Sequence, residues 1–240
     1  MTPLVLVHGF MGGSAQWEGQ AAALSDRFDV IAVDLPGFGA HADLPAINSI
    51  GGFAAWVIED LRRRGVERYH LLGHSMGGMI AQEIARLDAD RIDRLVLYAT
   101  GAVGVLPGRF ETIAQSKARA LSDGASATAR RIAATWFLQR EKAAGFEACA
   151  QIAERARLDA ILAGLDAMQD WSGTAALCDL TPDTLVLWGD CDRTYGWDQI
   201  QRLWQDIARS SLAVVPGCAH AVHLEKAAIF NTLLRGFLSD

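Results

Sequence analysis

Tyr69-His70-Leu71-Leu72-Gly73-His74-Ser75-Met76-Gly77-Gly78 decides how this chain is read. The apolar run Tyr69 to Gly73 has the length and composition of a buried parallel strand, and Met76 to Leu87 follows a helical pattern. Ser75 therefore stands at a sharp strand-to-helix turn, with a glycine two residues before it and another two after it. Side chains at those two positions would collide with neighbouring backbone, and such a turn leaves the serine hydroxyl exposed.

Working outward, five more short runs rich in Val, Leu and Ile read as buried strands: Leu4 to His8, Val30 to Asp34, Leu95 to Ala99, Leu185 to Trp188 and Leu212 to Val215. Helical patterns lie between and after them at Ala15 to Leu24, Phe53 to Arg64, Trp197 to Ala208 and Val222 to Leu238. Strand alternating with helix predicts an α/β, doubly wound sheet. The interval from about Gly101 to Leu180 breaks the alternation, with a long helical stretch from about Arg109 to Met168. A structureless loop of that length does not fit a compact domain, so the interval is expected to be a helical insertion. Leu158, Ile161, Leu162, Leu165 and Met168 recur at three- and four-residue steps, and their apolar face needs something to cover.

Composition narrows the function. The 240 residues are 51% hydrophobic and 21% charged, which suits one compact domain with a sizeable core. Twenty-two Lys and Arg against 28 Asp and Glu give a net charge of -6, with no basic run, so no nucleic-acid partner is expected. No apolar stretch approaches the roughly 18 residues of a membrane span, and Met1 leads into Leu4 without a basic n-region, so a cytoplasmic protein with no membrane partner is expected. Cys149, Cys178, Cys191 and Cys218 show neither a C-x-x-C pair nor zinc-ligand spacing; no metal is expected, and the thiols read as small buried apolar groups. Neither G-x-x-x-x-G-K nor G-x-G-x-x-G follows the first strand, so no cofactor is expected.

A serine hydroxyl is a weak nucleophile until a base takes its proton, and a third group must hold that base. The ends of the last two strands supply candidates. Gly189-Asp190-Cys191-Asp192 follows one, and Pro216-Gly217-Cys218-Ala219-His220-Ala221-Val222-His223 follows the other. Spacing alone does not choose between Asp190 and Asp192, or between His220 and His223.

The order Ser, Asp, His and the turn around Ser75 resemble the α/β-hydrolase superfamily from about Pro3 to Leu238. That resemblance implies a mostly parallel six-stranded sheet flanked by helices, with an inserted helical cap at 101–180 on a core of 1–100 and 181–240. It makes Ser75 the nucleophile, His220 the base through the pattern Gly-x-x-His, and Asp192 its partner. His8-Gly9-Phe10-Met11-Gly12-Gly13 looks like the family's oxyanion loop, so the Phe10 and Met76 N–H groups become the oxyanion donors. Asp34-Leu35-Pro36-Gly37-Phe38-Gly39 resembles a structural turn of the superfamily.

Where relatives start with a two-strand hairpin, this chain starts with the His-Gly strand. The expected strand order is therefore 2-1-3-4-5-6, with Val30 to Val33 at an edge that could support a homodimer. A serine hydrolase of a small-molecule ester, lactone or thioester is the activity implied, with Trp136, Phe137, Met168 and Trp171 expected in an apolar substrate pocket. Three alternatives remain open. One is a carbon–carbon hydrolase whose substrate carboxylate meets Arg130, Arg131, Arg155 or Arg157, although His74 stands where such enzymes carry Asn. The others are a cofactor-free perhydrolase and a small-molecule receptor on the same fold.

Overall fold

In the computed structural model, which describes residues 1–107 and 111–239, the apolar runs form six strands: β1 (Pro3–Val7), β2 (Asp29–Val33), β3 (Tyr69–His74), β4 (Ile92–Tyr98), β5 (Asp183–Gly189) and β6 (Ser210–Val215). All pairs are parallel and the order is β2-β1-β3-β4-β5-β6, as the sequence predicts. Val5 of β1 lies between Ile31 of β2 and Leu71 of β3, which makes β1 an interior strand, and β3 and β4 stand at the centre of the sheet.

The alternation of strand side chains divides the core into two layers. Leu4, Leu6 and Leu72 pack on one face with Trp17, Phe230 and Leu234, from the segments that include α1 (Glu18–Leu24) and α10 (Ala227–Ser239). Val5, Val7 and Leu71 pack on the other against α2 (Ile50–Arg63), α3 (Met76–Leu87) and α8 (Trp197–Asp206). Both faces are covered, so the central strands are apolar throughout instead of alternating with polar residues. Each fully buried Leu or Val there contributes roughly 1.5–3 kcal/mol relative to exposure.

Between β4 and β5 lie α4 (Ile113–Asp123), α5 (Ala125–Thr135), α6 (Phe146–Ala153) and α7 (Leu158–Gln169). Thr112 caps α4 with a Gln115 capping box, and Gly124, at φ 81°, turns the chain directly from α4 into α5. Arg109, where the helical pattern was expected to start, lies outside the described residues. The apolar face of α7 is buried, as Ile161, Leu165 and Met168 show, and it joins the same core as Phe10 and Phe38 of the loops above the sheet.

Two expected helices are interrupted. The first begins as a 3-10 turn at Ser14–Trp17 before α1, and the last breaks at Lys226 into α9 (Val222–Glu225) and α10. Cys149 and Cys218 are buried as expected, but Cys178 is exposed and Cys191 half-buried. Among the described residues, no helix is long and apolar enough to cross a membrane.

Candidate active site

β3 delivers Ser75 at φ 56°, ψ -121°, a conformation that non-glycine residues avoid. Backbone hydrogen bonds hold it there. The Ser75 N–H donates to the Tyr98 carbonyl (3.0 Å), and the Ser75 carbonyl accepts from the Thr100 hydroxyl (2.7 Å) and the Gly78 N–H (2.8 Å). The flanking glycines are steric necessities. A Cβ on Gly73 would strike the Gly77 carbonyl, one on Gly77 would strike the carbonyls of Val7 and His8, and one on Gly78 would lie 2.5 Å from the Thr100 side chain. Strain of this kind costs on the order of 1–3 kcal/mol and persists only where the surroundings over-determine it.

The loops after β5 and β6 bring Asp192 to His220. Nδ1 of His220 lies 2.8 Å from Oδ2 of Asp192, with side chains 2% and 0% exposed. The carboxylate can only accept, so Nδ1 carries the proton and Nε2 is left as an acceptor. The other Asp192 oxygen accepts the N–H groups of Thr194 (2.7 Å) and Tyr195 (3.4 Å), and the Tyr195 ring stacks on the imidazole at 5.7 Å. Behind the ring, the His220 carbonyl accepts from the Tyr98 hydroxyl (2.8 Å) and from Nε2 of His74 (3.2 Å).

The two competitors are placed elsewhere. His223 is buried against Trp17, with ring centroids 4.4 Å apart, and burial pushes its pKa down to about 3. Asp190 is exposed and accepts the Gly217 N–H (2.7 Å), which ties together the two loops carrying Asp192 and His220. The Cys191 thiol and that N–H hold its carboxyl below the usual range.

The loop after β1 is organised by His8. Its Nε2 accepts the Leu35 N–H (3.0 Å), so the proton sits on Nδ1 and is donated to the Gly9 carbonyl (2.8 Å). Burial lowers the His8 pKa to about 4, which keeps this neutral tautomer. The Gly9 carbonyl also accepts the Gly12 N–H (3.0 Å). In a planar trans peptide the carbonyl and the next N–H point opposite ways, so fixing the Gly9 carbonyl turns the Phe10 N–H out of the loop. Gly9 lies against Ser75: a Cβ on it would be 2.9 Å from that of the serine. Among the described residues, the N–H groups of Phe10 and Met76 have no backbone acceptor, leaving two amide donors next to Ser75 in sequence or space. The turn after β2 is structural: Asp34 accepts both the backbone N–H (2.8 Å) and the hydroxyl (2.6 Å) of Ser14. Ser14 therefore braces that turn, and the 3-10 turn is capped by Gly13.

Ser75, His220, Gly9 and Phe10 open into a cavity of about 820 Å³. Trp136 and Met168 line it, but Phe137 and Trp171 do not. Phe137 is buried against Gly145, and Trp171 donates its indole N–H to Glu83 (2.9 Å). On α5, Thr128, Arg131, Ile132, Ala134 and Thr135 form the wall, on one side of the helix. This face is half polar, so a search for apolar periodicity passes over it. Of the four arginines considered, Arg131 alone lines the cavity; Arg130 pairs with Glu147 (2.7 Å), Arg157 with Asp159 (3.2 Å), and Arg155 is exposed.

Comparison with known proteins is consistent with this geometry. The model of the alpha/beta hydrolase family matches residues 4–233. A relative from Pseudomonas savastanoi pv. phaseolicola, named "Putative carbamate hydrolase RutD", is 27% identical over 98% of this chain and 93% of its own length. A pimeloyl-[acyl-carrier protein] methyl ester esterase from Pectobacterium carotovorum subsp. carotovorum is 26% identical over 98% of this chain and 94% of its own. Among solved structures, a thermophilic esterase from Thermogutta terrifontis superposes with a TM-score of 0.89 at 26% identity, covering 100% of this chain and 90% of that one. With the family model spanning nearly the whole chain and the sheet in the expected order, the chain belongs to the alpha/beta hydrolase family.

Proposed function

We propose that this protein is a serine hydrolase of carboxylic esters, lactones included, working through an acyl-enzyme. The observation that carries the reading is the buried His220–Asp192 pair opening, with the strained Ser75 turn, into one cavity. In this reading Ser75 Oγ attacks the acyl carbon while Nε2 of His220 takes its proton, and Asp192 stabilises the imidazolium that forms. The negative oxygen of the tetrahedral intermediate is held by the Phe10 and Met76 N–H groups; losing one such donor typically costs about 10²–10³ in turnover. His220 then gives its proton to the leaving oxygen, and water, activated by the same imidazole, releases the acid and restores Ser75.

The names of the relatives support the chemistry, since a methyl ester and a carbamate both present a carbonyl carbon bonded to a heteroatom leaving group. The test is hydrolysis of short p-nitrophenyl esters by the wild type beside Ser75→Ala, His220→Ala and Asp192→Ala, with circular dichroism verifying that each variant folds. Loss of about 10³-fold or more in kcat for the Ser75 and His220 variants is expected. A folded Ser75→Ala variant that retains wild-type turnover overturns the reading.

A further inference from the structure

The cavity is charged against the sign of the molecule. The chain carries a net charge of -6, yet among the described residues four arginines (Arg119, Arg131, Arg140, Arg193) and two glutamates (Glu111, Glu141) line this space. Most of these charges already have partners or lie in solvent. Arg119 is held by Glu111 (2.7 Å) and Asp123 (3.3 Å), and Arg193 donates to the carbonyls of Phe137 (3.5 Å) and Leu138 (3.2 Å). Arg140 and Glu141 are exposed, where a charge pair is worth little.

Arg131 differs. It projects from the cavity face of α5 with its side chain 29% exposed, and its nearest carboxylate, Glu111, is 4.0 Å away, beyond hydrogen-bond reach. That carboxylate is already taken up by Arg119 and by the Ser116 hydroxyl (3.1 Å). The Arg131 Nε is buried with no hydrogen-bond partner among the described residues. The Arg131 side chain stays partly open to the cavity, where its guanidinium can donate charge-assisted hydrogen bonds to a carboxylate delivered by a ligand.

Resting on the esterase reading above, we propose that Arg131 is the specificity-determining residue of this cavity, and that the substrates are acidic esters or lactones carrying a free carboxylate apart from the carbonyl that Ser75 attacks. The carboxylate docks on the Arg131 guanidinium at the wall formed by α5, while the ester lies between Ser75 and the Gly9–Phe10 loop. Binding energy from this remote group holds the carbonyl in place for attack.

The experiment compares kcat/KM for two matched pairs of esters. One is mono-p-nitrophenyl adipate against p-nitrophenyl hexanoate, with the acid on the acyl side. The other is 4-carboxyphenyl butyrate against phenyl butyrate, with the acid on the alcohol side. In the wild type the acidic member is preferred in at least one pair. In Arg131→Gln that preference falls by about 10- to 100-fold, mainly through KM, as expected for losing a hydrogen bond to a charged group. Arg131→Lys, which keeps the stem and the charge but not the fork, falls between the two. Neutral esters preferred by the wild type in both pairs, or an acidic preference unchanged in folded Arg131→Gln, overturns this assignment and leaves the esterase reading standing. A wild type inert towards all four esters overturns both.

Discussion

The Tyr98 hydroxyl holds the backbone of His220 in place, although it touches no reacting atom. It donates to the His220 carbonyl, accepts the His223 N–H (3.2 Å), and lies 3.1 Å from Nδ1 of His223, all out of contact with water. Removing one partner of a buried bond leaves the others unsatisfied at roughly 1–3 kcal/mol each. Tyr98→Phe is therefore expected to lower the melting temperature and to reduce kcat about tenfold through a displaced imidazole, with KM nearly unchanged. A variant with wild-type kcat would show that the carbonyl is held adequately by His74 alone. This contact was not legible in the sequence, because Tyr98 reads simply as the end of an apolar strand. The elbow was legible: a glycine on either side of a serine reports crowding that the backbone cannot relieve, and the collisions predicted for Gly73 and Gly77 are those found. The choice of His220 over His223 was not open to spacing, since the two differ by which one lies against Trp17 and which faces the cavity.

Among the elements, the segment following α5 is the junction of the site. The Trp136 carbonyl accepts the Ala221 N–H (2.9 Å), and Arg193, from the loop carrying Asp192, reaches the Phe137 and Leu138 carbonyls. Glu225 at the end of α9 accepts the N–H groups of Leu138 and Ala219, both at 2.7 Å. One carboxylate thus fastens the helices between β4 and β5 to the loop that carries His220. Glu225→Ala orphans both amides and is expected to destabilise by roughly 2–4 kcal/mol, read as a lower urea midpoint, with a parallel loss of turnover. Glu225→Gln retains one acceptor oxygen and is expected to recover part of both; identical midpoints for Ala and Gln would contradict the bridging role. The strands and the limits of α3 and α8 could be read closely from periodicity, which depends on near neighbours in the chain, while the strand order came from the family resemblance. The wall of α5 and the place of Phe137 could not, because the packing of α5 against α4 and α6 brings Trp136 to the cavity and its neighbour Phe137 against Gly145.

At the scale of the whole molecule, burial of neutral histidines couples folding to pH. His8 titrates at about 4 and His223 at about 3 in the folded chain, against 6.5 for the free side chain, and desolvation is the largest cause for both. Well above pH 6.5 neither binds a proton in either state. As pH falls below 6.5 the unfolded chain takes up protons that the native chain refuses, so stability is lost progressively until the folded pKa is reached. Each histidine removes about 1.4 kcal/mol per pH unit across its window. The melting temperature is expected to be flat from about pH 8 to 7 and to fall between about pH 6 and 5, above the range where carboxylates titrate. A melting temperature constant down to about pH 4.5 would contradict the burial of neutral imidazoles. His8 lies against Phe38, in the core layer that continues through Phe10 into the helices between β4 and β5, while His223 lies against Trp17 and Phe230 in the layer on the other face of the sheet.

In the proposed reaction Ser75 becomes acylated because His220 and Asp192 activate it. The most direct measurement is mass spectrometry of the protein quenched in acid during turnover of a p-nitrophenyl ester, followed by peptide mapping. An acyl adduct is expected on the peptide carrying Ser75, absent from Ser75→Ala and strongly reduced in His220→Ala. An adduct on a different residue, or wild-type turnover by folded Ser75→Ala, would contradict it.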